Sequence, residues 1–247
     1  MPGPGVRLDR LVVDRGLAPS RERAQRLILA GEVLVAERPA TKPGSLVTRD
    51  APLRLRTRAS PFVSRGGEKL AGALDAFDID VRRLVALDVG ASTGGFTDCL
   101  LRRGARRVIA VDVGYGQLAW TLRQDPRVAV LERTNARHLE AAMIPETPDL
   151  ATLDLSFISL TLVVPAVAGI MRPGGTLLAL VKPQFEAGRG QVGKGGVVRD
   201  PEVRAAAVTR VRRAAAALAL DVRGEADSVL PGPKGNREVF LWLVRPA

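Results

Sequence analysis

The chain has 247 residues, of which 46% are hydrophobic and 26% charged, a composition that indicates a folded globular protein and excludes a disordered one. Its formal net charge of +11 favours a polyanion as partner, and nucleic acid is the polyanion we expect. The longest apolar run, residues 160–171, is too short to span a membrane, the N-terminus lacks an apolar signal core, and the single cysteine excludes an internal disulfide. We therefore expect a cytoplasmic protein with no membrane partner.

The first part of the chain predicts a small α+β unit. Apolar residues at helical spacing predict a helix over residues 6–15. Ser20 is placed to cap a second helix, which stops at Gly31, and a short strand begins at Val33. Residues 1–60 hold 12 of the 37 Lys and Arg residues against 6 of the 26 Asp and Glu residues, so +6 of the net charge lies there.

Arginines cluster around the start of the second helix, where the helix dipole adds to their attraction for phosphate. The stretches "RLDRLVVDRG" and "SRERAQRLILAGEVLV" resemble the S4 RNA-binding domain, although Ala36 stands where that domain usually has asparagine. A small helical cap with a solvated basic face is the alternative interpretation. The charge pattern and the resemblance indicate six side chains for contact with RNA: Arg7, Arg21, Arg23, Arg26, Lys42 and Arg65.

A linker is predicted at residues 59–63, between domains at residues 1–58 and 64–247. From residue 84 onward, apolar strands alternate with amphipathic helices, which predicts an α/β fold with a mostly parallel sheet covered on both faces. The last two strands follow one another without a helix, so we expect an antiparallel pair at the sheet edge. That ending is unusual for a dinucleotide-binding fold and typical of Rossmann-like class I methyltransferases.

A glycine-rich turn follows the first strand of this sheet, in "LDVGASTGGFTD", residues 87–98. Ser92 takes the position of the central glycine of a dinucleotide fingerprint, and no G-x-x-x-x-G-K-[ST] sequence is present, which argues against a pyrophosphate site and a P-loop. The turn fits the D-x-G-x-S-x-G pattern of S-adenosylmethionine-dependent methyltransferases, whose cofactor has no phosphate and approaches small residues closely. The predicted cofactor contacts in this turn are Asp88, Gly90, Ser92, Thr93, Gly94, Gly95, Phe96 and Thr97.

Polar residues at later strand ends extend this prediction. Asp112 ends the next strand, where a carboxylate can accept both ribose hydroxyls of a nucleoside. Asn135 follows the third strand and is placed either to contact the adenine edge or to serve only as a turn residue. Asp154 ends the fourth strand, near the expected positions of the methionine amine and the sulfonium. Together with the turn, these residues predict an S-adenosylmethionine site.

Lysine is rare in this chain, with five among the 37 basic residues. Lys69 opens a helix before the first strand, and Lys182 ends the fifth strand, at the sheet edge where sites of this fold lie. Because arginine supplies the charge elsewhere, a lysine at these positions indicates an amine that must lose its proton; chance is the alternative. With Asp154 and with Glu238 at the start of the last strand, they form a candidate Lys-Asp-Lys-Glu set.

The motifs "SRGGEKL", "DVGASTGGFTD", "ATLDLSFISL", "LVKPQFE" and "GNREVFL" resemble the TlyA family of haemolysin-named RNA methyltransferases, and the second part is similar to the FtsJ-type ribose 2′-O-methyltransferases. The resemblance implies methyl transfer to a cytidine ribose in small- or large-subunit ribosomal RNA. It also implies that Lys69, Asp154, Lys182 and Glu238 are catalytic. Lys182 is the candidate general base: a neighbouring cation and partial burial favour the neutral amine, whereas the anions Asp154 and Glu238 oppose it, and the sequence leaves open which effect dominates.

Other residues receive weaker assignments. The glycine-rich basic stretch at residues 186–200 is either a flap over the RNA ribose or a plain flexible loop. Arg133 and Arg137 are secondary candidates for RNA contact. His138, the only histidine, lacks neighbours with metal-ligand spacing, and Cys99 fits core packing, so we expect no metal site.

Two functions from other classes are the rivals. A non-catalytic RNA-binding factor in ribosome assembly would share the basic first part and keep a vestigial second part. A pore-forming haemolysin is suggested only by the family's name, and the lack of a spanning segment and of a signal peptide argues against it.

Overall fold

The structure is a computed structural model that describes three stretches of the chain, residues 5–55, 60–188 and 190–247. The chain divides into two compact units, residues 1–60 and 61–247. The linker at residues 59–63 stays a prediction, and its residue 59 lies outside the described residues. Within the described stretches, no helix is long and apolar enough to cross a membrane.

The first unit combines two helices with five short strands. The elements are β1 (Val6–Arg7), α1 (Leu8–Asp14), α2 (Arg21–Leu29), β2 (Val33–Val35), β3 (Arg38–Ala40), β4 (Leu46–Val47) and β5 (Leu53–Leu55). β1 pairs with β4, and β2 pairs antiparallel with both β3 and β5. Leu8, Val12, Ala24, Ile28 and Val33 have no exposed surface and form the core of this unit. The α+β prediction for this part of the chain is confirmed.

Both predicted helices of the first unit are present, but the first is shorter than predicted. Val6 and Arg7 pair as a strand with Val47 and Leu46, so the helix starts only at Leu8. The second helix has the predicted cap, because Ser20 Oγ accepts a hydrogen bond of 3.2 Å from the backbone N–H of Arg23.

The second unit alternates helices with the strands of one sheet. The elements are α3 (Gly66–Ala76), β6 (Val85–Val89), α4 (Gly95–Arg102), β7 (Arg107–Val111), α5 (Trp120–Arg123), β8 (Val128–Leu131), β9 (Leu150–Leu153), α6 (Val164–Ile170), β10 (Thr176–Val181), α7 (Pro183–Glu186), α8 (Pro201–Ala217), β11 (Asp221–Asp227) and β12 (Val239–Val244). Short 3-10 turns lie at Ala136–His138, Ala141–Met143 and Leu160–Leu162.

The sheet has seven strands in the order β11-β12-β10-β9-β6-β7-β8. The strands from β10 to β8 are parallel, and β12 is antiparallel to both β10 and β11. The predicted α/β fold with an antiparallel pair at the edge is confirmed. The reversed strand β12 lies second in the sheet, and β11 takes the outer position beside it.

Apolar clusters cover both faces of this sheet, so its central strands are buried on both sides. The longest apolar run, residues 160–171, forms a 3-10 turn at Leu160–Leu162 followed by the short helix α6. The five parallel strands end at one edge of the sheet, and this edge carries the candidate site.

Candidate active site

The glycine turn after β6 lies close to the end of β9. Gly90 has a φ of +88°, and a Cβ added there would lie 2.6 Å from the backbone oxygen of Asp154. Its N–H donates to the carbonyl oxygen of Val111 at 2.8 Å. A side chain at position 90 would therefore collide with the neighbouring strand end, which explains why glycine is required.

Asp88 and Thr97 lie beneath this turn. Both residues have no exposed surface, and Thr97 Oγ1 donates to Asp88 Oδ2 at 2.7 Å. Thr152 Oγ1, on β9, donates to the other carboxylate oxygen at 3.2 Å. Burial raises the pKa of Asp88 to about 7, against the opposing effect of the Thr97 hydrogen bond. Asp88 thus joins β6 to the first turn of α4 and to β9.

Asp112 holds the outer side of the turn. Its Oδ2 accepts a hydrogen bond of 2.7 Å from the N–H of Ser92, and its Oδ1 accepts one of 2.7 Å from the N–H of Gly114. Ser92 is exposed and has a φ of +48°. Each carboxylate oxygen of Asp112 retains a lone pair for a further donor, so this partly exposed group is suited to binding hydroxyls.

The other residues of the predicted turn differ in exposure. Thr93 is partly exposed, whereas Gly94, Gly95 and Phe96 are buried. A Cβ on Gly94 would meet the Leu122 side chain at 2.3 Å, so this position serves packing against α5. Phe96 stacks on Phe240 with ring centroids 6.1 Å apart, which places it in the core.

Asn135 lies on the surface after β8 and caps a 3-10 turn. Its Oδ1 accepts a hydrogen bond of 3.1 Å from the N–H of Arg137. Nearby, the guanidinium of Arg133 lies 4.4 Å from the ring centre of Tyr115, and the Tyr115 side chain is exposed. The turn role that the sequence allows for Asn135 is therefore present in the structure, and contact with adenine stays a prediction.

The four residues of the predicted Lys-Asp-Lys-Glu set form two ion pairs. Lys69 Nζ donates to Glu238 Oε2 at 2.5 Å, and both residues are buried. Lys182 Nζ lies 2.7 Å from Asp154 Oδ1 and donates to Ser156 Oγ at 3.1 Å. Each pair places a lysine amine against a carboxylate largely out of water, where the interaction between the two groups is strong at short range.

Strand register brings these pairs to the same edge. Val181 of β10 lies opposite Val239 of β12, so Lys182 and Glu238 are neighbours just beyond the last paired residues. On the other side of β10, the register pairs Ala179 with Leu153, immediately before Asp154. An amine next to a carboxylate at a strand end can hold, accept and release a proton.

Glu238 has an unsatisfied oxygen. Its Oε1 is buried and has no hydrogen-bond partner among the described residues, and a Cβ on Gly232 would lie only 2.4 Å from it. Such a carboxylate is held by its single lysine partner and by tight packing.

Asn236 ties the predicted flap at residues 186–200 to the loop before β12. Its Nδ2 donates to the carbonyl oxygen of Gly196 at 2.8 Å, and its Oδ1 accepts from the N–H of Val198 at 2.9 Å. Asn236 is itself buried. Gly196 and Val198, in the second half of this stretch, are therefore bonded to the loop before β12. Residue 189 lies outside the described residues.

Two aromatic residues that the sequence analysis missed flank Lys182 and Asp154. Phe157 is 92% exposed with a φ of +65°, and its ring centre lies 5.2 Å from that of Phe185. Buried Glu186 links their two segments by accepting hydrogen bonds from Ser159 Oγ at 2.6 Å and from the N–H of Leu160 at 2.7 Å. The available signal was the phenylalanine that follows shortly after each strand end in "DLSF" and "VKPQF".

The predicted RNA-contact residues are found in different settings. Arg7 and Arg21 both bond to Asp9, and Arg26 lies 3.7 Å from Glu22. Arg23 is partly buried, and the other five are exposed: Arg7, Arg21, Arg26, Lys42 and Arg65.

Cys99 and His138, which the sequence assigns to other roles, differ in exposure. Cys99 is fully buried, and burial raises the pKa of its thiol to about 12. His138 is exposed. Across the described part of the chain, no three His, Cys, Asp or Glu residues are grouped as a metal ion would require.

Comparison with known proteins identifies both parts of the chain. A family profile described as FtsJ-like methyltransferase matches residues 62–245, and the S4 domain profile matches residues 6–52. The chain is 54% identical to the protein named 16S/23S rRNA (cytidine-2′-O)-methyltransferase TlyA from Mycobacterium tuberculosis, over 96% of this chain and 89% of that protein.

Two further relatives carry a haemolysin name. Hemolysin A from Brachyspira hyodysenteriae is 38% identical, over 97% of this chain and all of that protein (100%). The solved structure of a hemolysin-named protein from Streptococcus thermophilus covers 98% of this chain and 89% of that chain, with a TM-score of 0.78 and 41% identity. The family resemblance seen in the sequence is confirmed: this chain belongs to the TlyA family of FtsJ-like methyltransferases.

Proposed function

We propose that the chain transfers a methyl group from S-adenosylmethionine to the 2′-hydroxyl of a cytidine ribose in small- or large-subunit ribosomal RNA. The observation that carries the proposal is the pairing of Lys69 with Glu238 and of Lys182 with Asp154 at the strand ends beside the glycine turn. The name of the Mycobacterium tuberculosis relative, a 16S/23S rRNA (cytidine-2′-O)-methyltransferase, supports the substrate. A ribosomal substrate fits the cytoplasmic location that the sequence predicts.

The residues beside the turn fit S-adenosylmethionine. Gly90 lets the turn lie close against the backbone of Asp154, and Asp112 presents a partly exposed carboxylate suited to a ribose diol. Asp154 lies at the adjoining strand end, where its charge favours a cationic group. When bound, the cofactor supplies an electrophilic methyl group. Asp88 and Thr97, which are fully buried, act in this proposal by supporting the turn rather than by touching the cofactor.

The proposed chemistry is a proton transfer coupled to attack by oxygen. In this step Lys182 acts as the neutral amine: its Nζ would accept the proton of the ribose 2′-hydroxyl as that oxygen takes up the methyl group, and the electron pair of the broken carbon–sulfur bond would stay on sulfur. Asp154 orients the Lys182 amine, to which it lies 2.7 Å away. Lys69 stabilises the developing negative charge on oxygen, and Glu238 fixes the position of Lys69 through their 2.5 Å bond.

The exposed Phe157 is the proposed contact for the target base. The exposed ring of Phe157, three residues after Asp154, offers a face on which any base can stack, and the ring of Phe185 packs against it. Because a duplex buries both faces of a base, this arrangement requires a nucleotide that has left its stack.

The test is transfer of labelled methyl from S-adenosylmethionine to purified, unmethylated small and large ribosomal subunits, with Lys182→Ala as the comparison variant. We expect label in RNA that resists alkaline cleavage at one ribose, and its loss in the variant. Cofactor binding without transfer to either subunit or to free RNA would contradict the proposal and favour the assembly-factor alternative.

A further inference from the structure

Asp9 is a buried carboxylate at the centre of four polar contacts in the first unit. Arg7 binds it with two parallel bonds, Nε to Oδ1 at 3.1 Å and Nη2 to Oδ2 at 3.0 Å. Arg21 Nε and Gln25 Nε2 each donate to Oδ2 at 2.9 Å. Asp9 has no exposed surface, so both of its oxygens are committed to these partners.

The two arginines are held on one side only. Asp9 engages Nε and Nη2 of Arg7 but only Nε of Arg21, and the two side chains stay 47% and 58% exposed. Arg7 also lies against the backbone of Gly44, where an added Cβ would be 3.3 Å from Nη1. Asp9 thus fixes one edge of each guanidinium while each side chain as a whole stays exposed.

We infer that Asp9 is a positioning residue for RNA binding, which holds Arg7 and Arg21 in the orientation that contacts phosphate. The inference rests on the proposed RNA substrate. A long arginine side chain loses rotamer freedom when it binds a phosphate, and a side chain already fixed by Asp9 loses less. Positioning therefore increases the affinity for RNA, even though the negative charge of Asp9 lowers the net positive charge of the surface that binds this polyanion.

The net charge alone predicts that neutralising Asp9 strengthens RNA binding, whereas positioning predicts that it weakens RNA binding. The direction of the change in affinity therefore tests the inference. Neutralising an acid raises the positive charge of the protein and, by itself, tightens binding to RNA. Asp9→Asn makes that change at the buried site. Asp14→Asn makes the same change at an exposed position on the same helix, α1, and is the matched control.

The experiment measures the dissociation constant of the full-length protein for unmethylated ribosomal subunits, small and large in separate titrations, at several salt concentrations. We expect Asp14→Asn to bind as tightly as the wild type or slightly more tightly, and Asp9→Asn to bind about tenfold more weakly. Equal or tighter binding by Asp9→Asn would overturn the inference while leaving the proposed function intact. No binding by the wild type would overturn the proposed RNA substrate and this inference with it.

A second variant, Arg21→Lys, tests the inference even if Asp9→Asn misfolds. Arg21→Lys keeps the charge but cannot reproduce the Nε contact, so we expect weaker binding than for Arg10→Lys, which makes the same exchange at an exposed residue of α1. Thermal unfolding of each variant is measured beside the binding. If Arg21→Lys and Arg10→Lys bind equally well, the orientation of Arg21 is irrelevant and the inference is wrong.

Discussion

Lys69 and Glu238 are 169 residues apart in the chain, yet they form a buried bond of 2.5 Å between helix α3 and the start of strand β12. The lysine and glutamate side chains are 9% and 0% exposed. The pair therefore connects the first helix of the second unit to its last strand. Their short contact offsets the cost of taking both groups out of water.

Breaking this pair from either side is expected to destabilise the second unit. Lys69→Met or Glu238→Gln leaves one buried group without its partner and costs about 3–5 kcal/mol of the free energy of unfolding. The double variant is expected to lose much less than the sum of the two. Denaturant unfolding followed by tryptophan fluorescence measures this unit alone, because both tryptophans, Trp120 and Trp242, belong to it. Additive losses would show that the two residues are not coupled.

Lys182 is expected to affect the reaction rather than cofactor binding. Lys182→Met should lower kcat for methyl transfer by about 10²–10⁴, since it removes the proposed proton acceptor. Calorimetric titration with S-adenosylmethionine should give a nearly unchanged Kd. Lys234→Met, at an exposed lysine, serves as the matched control. Full activity of Lys182→Arg would show that only the charge is needed, because a guanidinium does not accept a proton.

Asp88 should make stability depend on pH. Its pKa in the folded chain is raised by burial to about 7, above its unfolded value, so the native state binds more protons than the unfolded state between about pH 4 and pH 7. The free energy of unfolding should therefore fall as pH rises through that window, by on the order of 4 kcal/mol, and level off above it.

Asp88→Asn is expected to remove this contribution while keeping the side-chain shape. Burial also raises the pKa of Glu186, but that residue is the same in both proteins, so the difference between their pH profiles isolates Asp88. The measurement is tryptophan-detected unfolding from pH 4 to pH 8. Parallel profiles for the two proteins would contradict the assignment.

Phe157 should contribute to the reaction with RNA and not to the stability of the fold. Because the side chain is 92% exposed, Phe157→Ala should leave the unfolding temperature of the second unit almost unchanged. Loss of stacking should cost about 1–3 kcal/mol in kcat/KM for the ribosomal subunit. Phe157→Trp should restore most of the activity. Leu218→Ala, an exposed apolar residue on the end of α8, is the control, and an equal loss there would argue against base contact.

Ala36 lies in a strained turn of the first unit. Ala36 and Glu37 have φ values of +46° and +65° between β2 and β3, the combination of a tight hairpin turn that favours Asn and Gly. Ala36→Gly should therefore stabilise this unit by about 1 kcal/mol. The control, Ala40→Gly in strand β3, should destabilise it. Amide hydrogen exchange of β2 and β3 measures both changes, and destabilisation by Ala36→Gly would contradict the turn assignment.

The backbone conformation of this turn accounts for the residue usually found at position 36. The asparagine usual at position 36 of S4 domains is expected from the backbone alone, since Asn tolerates a positive φ better than Ala. The strand ends of the second unit were predictable because apolar runs stop at Asp112, Asp154 and Lys182, and the ends of parallel strands meet at one edge.

What the sequence did not predict depends on contacts between distant residues. Thr152 and Thr97 enclose Asp88, and nothing local in the motif distinguishes an acid beneath a turn from one on its surface. The exposure of Phe157 was missed for a related reason. An aromatic residue in an apolar stretch ordinarily belongs to the core, and only its positive φ turns this one outward.

The burial of Cys99 has a practical consequence for fluorescence spectroscopy. Since this is the only cysteine in the chain and its thiol is both inaccessible and weakly acidic, maleimide dyes should leave the wild-type protein unlabelled. A cysteine introduced at any exposed position would then react alone. Dye pairs placed in this way could follow, in single molecules, how the S4 unit and the methyltransferase unit move as a ribosomal subunit is engaged.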